Sequence, residues 1–134
     1  MTGAYPCPID ESVTVVEIPF TDEVVRDLRR RAGDTLNEDT LAFAVWGEAV
    51  EDLGPIIFLN ENIRSEDWFS KSHLSAIFAH ELGHIHLNTA IEQRAERWGV
   101  ELLSRNGMRE AAHLLLDRGV LSEEDCKSLR EMVL

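Results

Sequence analysis

The sequence predicts an α+β fold, a small N-terminal sheet followed by a helical half, and three observations lead to it. The first is a set of β-branched and apolar runs in the first sixty residues, SVTVVEIPF at 12 to 20, LAFAVWGEAVED and GPIIFLN. The second is a change of period near Ser70, after which apolar residues recur at spacings of three and four. The third is the order itself, strands first and helices after, which suits segregated rather than alternating elements. A chain of 134 residues is the size of one domain. The reading is therefore a single domain over residues 1 to 134, with 1 to 11 as a loose N-terminal segment.

The elements follow in chain order. SVTVVEIPF ends at a proline and reads as a first strand or docked extended arm. TDEVVRDLRRRAG opens with Thr21 or Asp22 as a cap, places Val24, Val25 and Leu28 on one stripe and closes at Gly33, a short amphipathic helix. Its run Arg29, Arg30, Arg31 sits where positive charge favours the helix dipole. The two later apolar runs are separated by Leu53-Gly54-Pro55, which has turn chemistry, so they read as adjacent strands. KSHLSAIFAHELGHIHL then carries Leu74, Ile77, Phe78, Leu82 and Ile85 at helical spacing, with Ser70 or Ser72 as cap and Asn88-Thr89 as break. AIEQRAERWGVELLSRNG is a second helix with Ile91, Ala95, Trp98 and Leu102 as its stripe. MREAAHLLLDRG and SEEDCKSLREMVL are the last two, and the latter has acidic residues in its first turn.

Composition excludes several classes of function. The net charge of −12 opposes direct binding to nucleic acid, whose phosphates are met by clustered Lys and Arg. No apolar run approaches the roughly 18 to 20 residues that span a bilayer, and the start MTGAYPCPIDES lacks the basic-then-apolar order of a secretion signal. Cys7 and Cys126 belong to no ligand-spaced cluster and read as free thiols of a reducing compartment. The expectation is a cytoplasmic protein without a membrane partner.

The chemistry is concentrated in AHELGHIHLN, residues 79 to 88. His80-Glu81-Leu82-Gly83-His84 has the H-E-x-x-H pattern, and on a helix histidines four apart project from one face, so both imidazoles can reach one zinc ion. Two buried imidazoles without partners would be costly, whereas a metal satisfies both. Glu81, beside the first histidine, is placed to act as general base for a zinc-bound water attacking a carbonyl. A catalytic zinc has three protein ligands and an open position. His86 is two residues past His84 and faces elsewhere. Glu92 and Glu96 remain, each followed three positions later by a small residue, Ala95 or Gly99, that lets two helices approach closely. Periodicity does not separate them.

Residues 55 to 103, PIIFLNENIRSEDWFSKSHLSAIFAHELGHIHLNTAIEQRAERWGVELL, resemble the ImmA/IrrE family of zinc metallopeptidases. In that family a strand ending in Leu-Asn precedes a helix with His-Glu-Leu-Gly-His and then a helix of the form Glu-x-x-Ala-Asn-x-Phe-Ala-x-x-Leu-Leu. The resemblance implies a zincin-type H-E-x-x-H helix, Zn2+ as cofactor, His80, His84 and Glu92 as metal ligands and Glu81 as the catalytic residue. On that match Glu96 stands where the family has Asn or Asp. The helical face agrees with Glu92, because Ala95, Trp98 and Leu102 are expected to face the core and Glu92 lies three residues before Ala95, while Glu96 is turned about 100° from it.

The expected function is hydrolysis of a peptide bond in a specific protein, such as a regulator, with a protein or peptide as substrate. The alternative is a noncatalytic protein-binding module that retains a structural zinc site. Among other residues, His73 reads as a solvent-edge histidine and His113 as a packing residue. Trp46, Trp68 and Trp98 read as core or pocket wall, and Tyr5 lies in the segment expected to be loose.

Overall fold

The computed structural model describes residues 3–21, 23, 25–27, 41–47 and 54–133. Its elements are four strands, β1 (Gly3–Pro6), β2 (Thr14–Ile18), β3 (Ala42–Val45) and β4 (Ile56–Asn60), a 3-10 turn (Glu61–Ser65), and the helices α1 (Lys71–Leu87), α2 (Glu92–Arg105), α3 (Arg109–Leu116) and α4 (Glu123–Val133). The fold is α+β, a small four-stranded sheet followed by a helical half. Contacts group into two compact units, Met1–Phe69 and Ser70–Leu134, and the boundary falls where the sequence changes period. Of the helix expected from Thr21 to Gly33, Glu23, Val25, Arg26 and Asp27 are helical; the rest, with the Arg29 to Arg31 run, lies outside the described residues.

In the first unit the strand order is β1-β2-β4-β3. β2 and β4 pair in parallel with Val15 opposite Ile57, while β3 pairs antiparallel to β4 with Phe43 opposite Phe58, so the two runs flanking Gly54-Pro55 are neighbours as expected. Strand alternation is legible in β2 and β3, whose residues alternate between half-buried and buried, whereas β4 is buried at all five positions. Phe20, Phe43 and Phe58 form an aromatic row beside Val25, Val45 and Ile56, with Phe43 stacked on Phe58 at 5.0 Å and Phe20 edge-on to Phe43 at 5.3 Å.

The described part of the segment expected to be loose, residues 3 to 11, departs from that expectation. Within it β1 is an edge strand, antiparallel to β2 with Tyr5 opposite Val15. Two features hold it. Cys7 N–H donates to the Val13 carbonyl at 2.8 Å, and the Tyr5 hydroxyl donates to Glu17 Oε1 at 3.0 Å. Glu17, its side chain 3% exposed, also accepts a forked pair from Arg64, Nε to Oε2 at 2.5 Å and a terminal nitrogen to Oε1 at 2.8 Å. Trp68, expected in a core or pocket wall, is 43% exposed. Both cysteines are free thiols.

In the second unit Ser70 is the cap of α1, its hydroxyl accepting from His73 N–H at 3.3 Å. His73 sits at that helix start, its Nδ1 2.7 Å from the same hydroxyl. The helix ends at Asn88, which takes the left-handed conformation (φ 49°, ψ 52°) that reverses the chain into α2. α1 and α2 pack through reciprocal glycines. A Cβ on Gly83 would lie 2.4 Å from the Ala95 carbonyl oxygen, and one on Gly99 would lie 3.0 Å from the Ala79 carbonyl. Beneath them Leu82, Val100, Leu103, Ala112, Leu115 and Leu129 are fully buried. Among the described residues no helix is long and apolar enough to cross a membrane.

Candidate metal centre

His80, Glu81 and His84 all lie on α1 and are buried, between 5% and 6% exposed. Four residues is about one helical turn, so the two imidazoles come together, ring centroids 4.8 Å apart and nearly perpendicular. Their Nε2 atoms are 3.2 Å apart. Each of the three residues offers a ligand atom, and these atoms lie within 4.8 Å of one another, so the group can hold a metal ion.

The other ring nitrogens are committed. His80 Nδ1–H donates to Glu96 Oε1 at 2.6 Å, and His84 Nδ1–H donates to the Thr89 carbonyl at 2.7 Å; a carbonyl only accepts, which sets the His84 tautomer. Both Nε2 atoms are thus left to face each other. Into the same space comes Glu92, with Oε2 2.9 Å from His80 Nε2 and Oε1 3.0 Å from His84 Nε2. Two imidazole lone pairs and a carboxylate cannot share this space without a cation between them, whether protons or a metal ion.

The titration of these groups reflects that demand. Burial alone would lower the His80 pKa, but hydrogen bonds to Glu92 and Glu96 and the nearby Glu81 charge outweigh it and push it up to about 9. For His84 burial is likewise outweighed, by its bonds to Glu92 and Thr89, and the pKa rises. Hydrogen bonds from His80 and then His84 hold the Glu92 carboxyl far below the usual carboxylate range. Glu81 moves the other way, because burial raises it more than the charges of His80 and His84 lower it.

The structure brings His80, Glu81, His84 and Glu92 together, and it corrects the reasoning that separated Glu92 from Glu96. The buried stripe of α2 is Ala95, Glu96, Gly99, Val100 and Leu103, not Ile91, Ala95, Trp98 and Leu102. Glu96 is fully buried, and the Glu92 side chain is 56% exposed. The small residues Ala95 and Gly99 face α1, so bulky Trp98 is displaced to a flank, where it stacks on exposed His86 at 4.9 Å. Glu92 reaches the histidines from the open edge of the helix pair. Glu96, one turn further along, reaches the back of His80. Sequence reasoning weighed Glu96 only as a rival ligand, although the spacing of four between the glutamates already put both on one face. His113 is partly buried, as expected, in α3.

Comparison with family models, with curated proteins and with solved structures gives no match.

Proposed function

We propose that the chain is a zinc-dependent peptidase of the kind the ImmA/IrrE resemblance implies, hydrolysing a peptide bond in a specific protein such as a regulator. The observation that carries this reading is the donor arrangement: two Nε2 atoms 3.2 Å apart, each within 3.0 Å of an oxygen of one carboxylate, with both Nδ1 atoms already bound elsewhere. Nitrogen ligands at about 2.0 to 2.1 Å from a tetrahedral zinc stand roughly 3.3 Å apart, which matches the pair. Imidazole donors also favour zinc over magnesium or calcium, which take oxygen.

In this reading His80 and His84 would hold the ion through Nε2 and Glu92 would supply the third ligand. Zinc bound there supplies Lewis acidity toward water and a peptide carbonyl. Glu96 and the Thr89 carbonyl keep the two imidazoles in the ligating tautomer and orientation. Glu81 takes the proton of the attacking water on its carboxylate and returns it to the departing amine. Burial raises its pKa, which favours holding that proton between the two transfers.

The test is elemental analysis of the purified protein beside His80→Ala and His84→Ala. Zinc content unaffected by both substitutions would sink the site. Glu81→Gln should keep the metal and lose hydrolysis in a peptide-library screen, since an amide cannot serve as the base.

One observation favours the second reading, a noncatalytic protein-binding module with a structural zinc: Glu81 is only 6% exposed, so little of it is open to a substrate. The cobalt-substituted protein separates the two. A visible spectrum that responds to added azide reports an open coordination position, and an inert spectrum reports a closed one.

A further inference from the structure

Glu96 is fully buried, yet only half of its carboxylate is used. Oε1 accepts from His80 Nδ1–H at 2.6 Å, while Oε2 has no hydrogen-bond partner. A buried carboxylate oxygen without a donor is rare in folded proteins and needs a reason. The guanidinium of Arg118 approaches that oxygen, with Nε 3.7 Å away. This is ion-pair range and longer than a hydrogen bond.

Arg118 is held at the right place by its backbone. It follows the C-cap Asp117 of α3, its N–H donates to the Leu115 carbonyl at 3.2 Å, and Gly119 (φ 78°) turns the chain immediately after it. Asp117 is itself tied to Arg130 of α4 at 3.1 Å. The Arg118 side chain is 43% exposed and keeps rotamer freedom, so a small torsional change carries a guanidinium nitrogen onto Oε2.

We propose that Arg118 is a positioning residue of the metal centre: its guanidinium closes on the open oxygen of Glu96, and the Arg118-Glu96-His80 chain holds the His80 Nε2 toward the metal position. The inference rests on the metal-binding reading above. Charge balance gives the device its purpose. Three carboxylates, Glu81, Glu92 and Glu96, surround two imidazoles. Arg118 brings a cation to the second oxygen of Glu96 while the first holds the His80 Nδ1–H, and so keeps the ring oriented. Hydrogen-bonded partners behind a ligating histidine affect affinity in this way.

The experiment measures zinc affinity by competition with a chromophoric chelator for the intact protein, Arg118→Ala, Glu96→Gln and the double variant. Arg118→Ala should weaken zinc about 3- to 10-fold when Glu96 is present, and less than about 2-fold in the Glu96→Gln background, a non-additivity that marks direct coupling. Arg118→Lys, which keeps the charge, should recover part of the loss, and Arg118→Gln, which keeps most of the length, should not. A purely structural role would lower the thermal midpoint of the metal-free protein without this charge ranking. Additive effects in the cycle, or a glutamine that rescues as well as lysine, would overturn the inference while leaving the metal site intact. Failure of the intact protein to bind zinc would overturn both, and His80→Ala run in parallel distinguishes the cases.

Discussion

Replacing Gly83 by alanine tests whether the site depends on close approach of two helix backbones. The added Cβ would lie 2.4 Å from the Ala95 carbonyl oxygen, 2.7 Å from its Cα and 2.9 Å from its carbonyl carbon. The closest of these is about 1 Å short of ordinary van der Waals contact. All three atoms are backbone in the first turn of α2, so no side chain can swing aside and the helices must part. Overpacking of this kind costs about 1 to 3 kcal/mol, with a rigid neighbour at the upper end. Alanine's better helix propensity returns about 1 kcal/mol. The net loss is about 2 kcal/mol, or about 6 to 10 °C in thermal midpoint. Glu92 lies one turn before Ala95 and moves with it, while metal-ligand distances tolerate only about 0.2 Å. Zinc affinity should therefore fall at least about tenfold. The assay is thermal unfolding of the metal-free protein together with chelator competition, with Gly3→Ala, whose Cβ meets nothing within 4 Å, as control. A Gly83→Ala protein with wild-type midpoint and wild-type zinc affinity would refute the packing argument.

Other substitutions probe the remaining supports. Glu96→Gln should weaken zinc by about 10- to 100-fold, the usual cost of losing a carboxylate behind a ligating histidine, and Glu92→Gln should weaken it further; chelator competition gives the ranking. Asn88→Val should lower stability by about 1 to 2 kcal/mol in thermal unfolding, because a β-branched residue is strained at φ 49°, and Asn88→Gly, which takes that conformation without strain, should cost less. The hydrogen bonds from Arg64, against burial and with help from Tyr5, hold the Glu17 carboxyl below its ordinary value, so its contribution is complete above about pH 5 and disappears as pH falls through the lowered pKa. The stability gap between the natural protein and Glu17→Gln, measured by urea titration, should therefore be widest near neutrality and narrow as pH falls through the lowered pKa.

The helical half was legible because its signals are local. Ser70 supplies a cap, Asn88 takes a left-handed stop, and the H-E-x-x-H spacing places two histidines on one face whatever the rest of the chain does. The adjacency of β3 and β4 was readable for a similar reason, the turn chemistry of Leu53-Gly54-Pro55 in the sequence between two apolar runs. The edge strand β1 was not. Its four residues, GAYP, carry no alternation and end in proline, and what orders them lies elsewhere in the chain, in the pairing with β2 and in Glu17 and Arg64. A strand held by distant residues leaves little trace in its own sequence.

The assignment of Glu92 and Glu96 shows where periodicity fails at a site. An inward stripe is drawn by assuming that large apolar residues face the core, and that assumption selected Trp98 and Leu102. Here the α1–α2 contact runs through Gly83, Ala95 and Gly99, so backbones meet where side chains were expected, and the apolar face is rotated by about one residue, roughly 100°. That rotation turns both glutamates toward α1; Glu92, the first residue of α2, stays half exposed at the helix end, and Glu96, one turn further in, is buried. Each position suits a different task. A residue that completes a metal site with an open position must sit at the accessible edge of the helix pair, whereas a residue that orients an imidazole from behind must sit in the interior, where its bond is shielded from water. The small residues that permit the close approach therefore bring both glutamates to α1, position along the helix distinguishes them, and the ratio of zinc affinities between Glu92→Gln and Glu96→Gln measures that distinction.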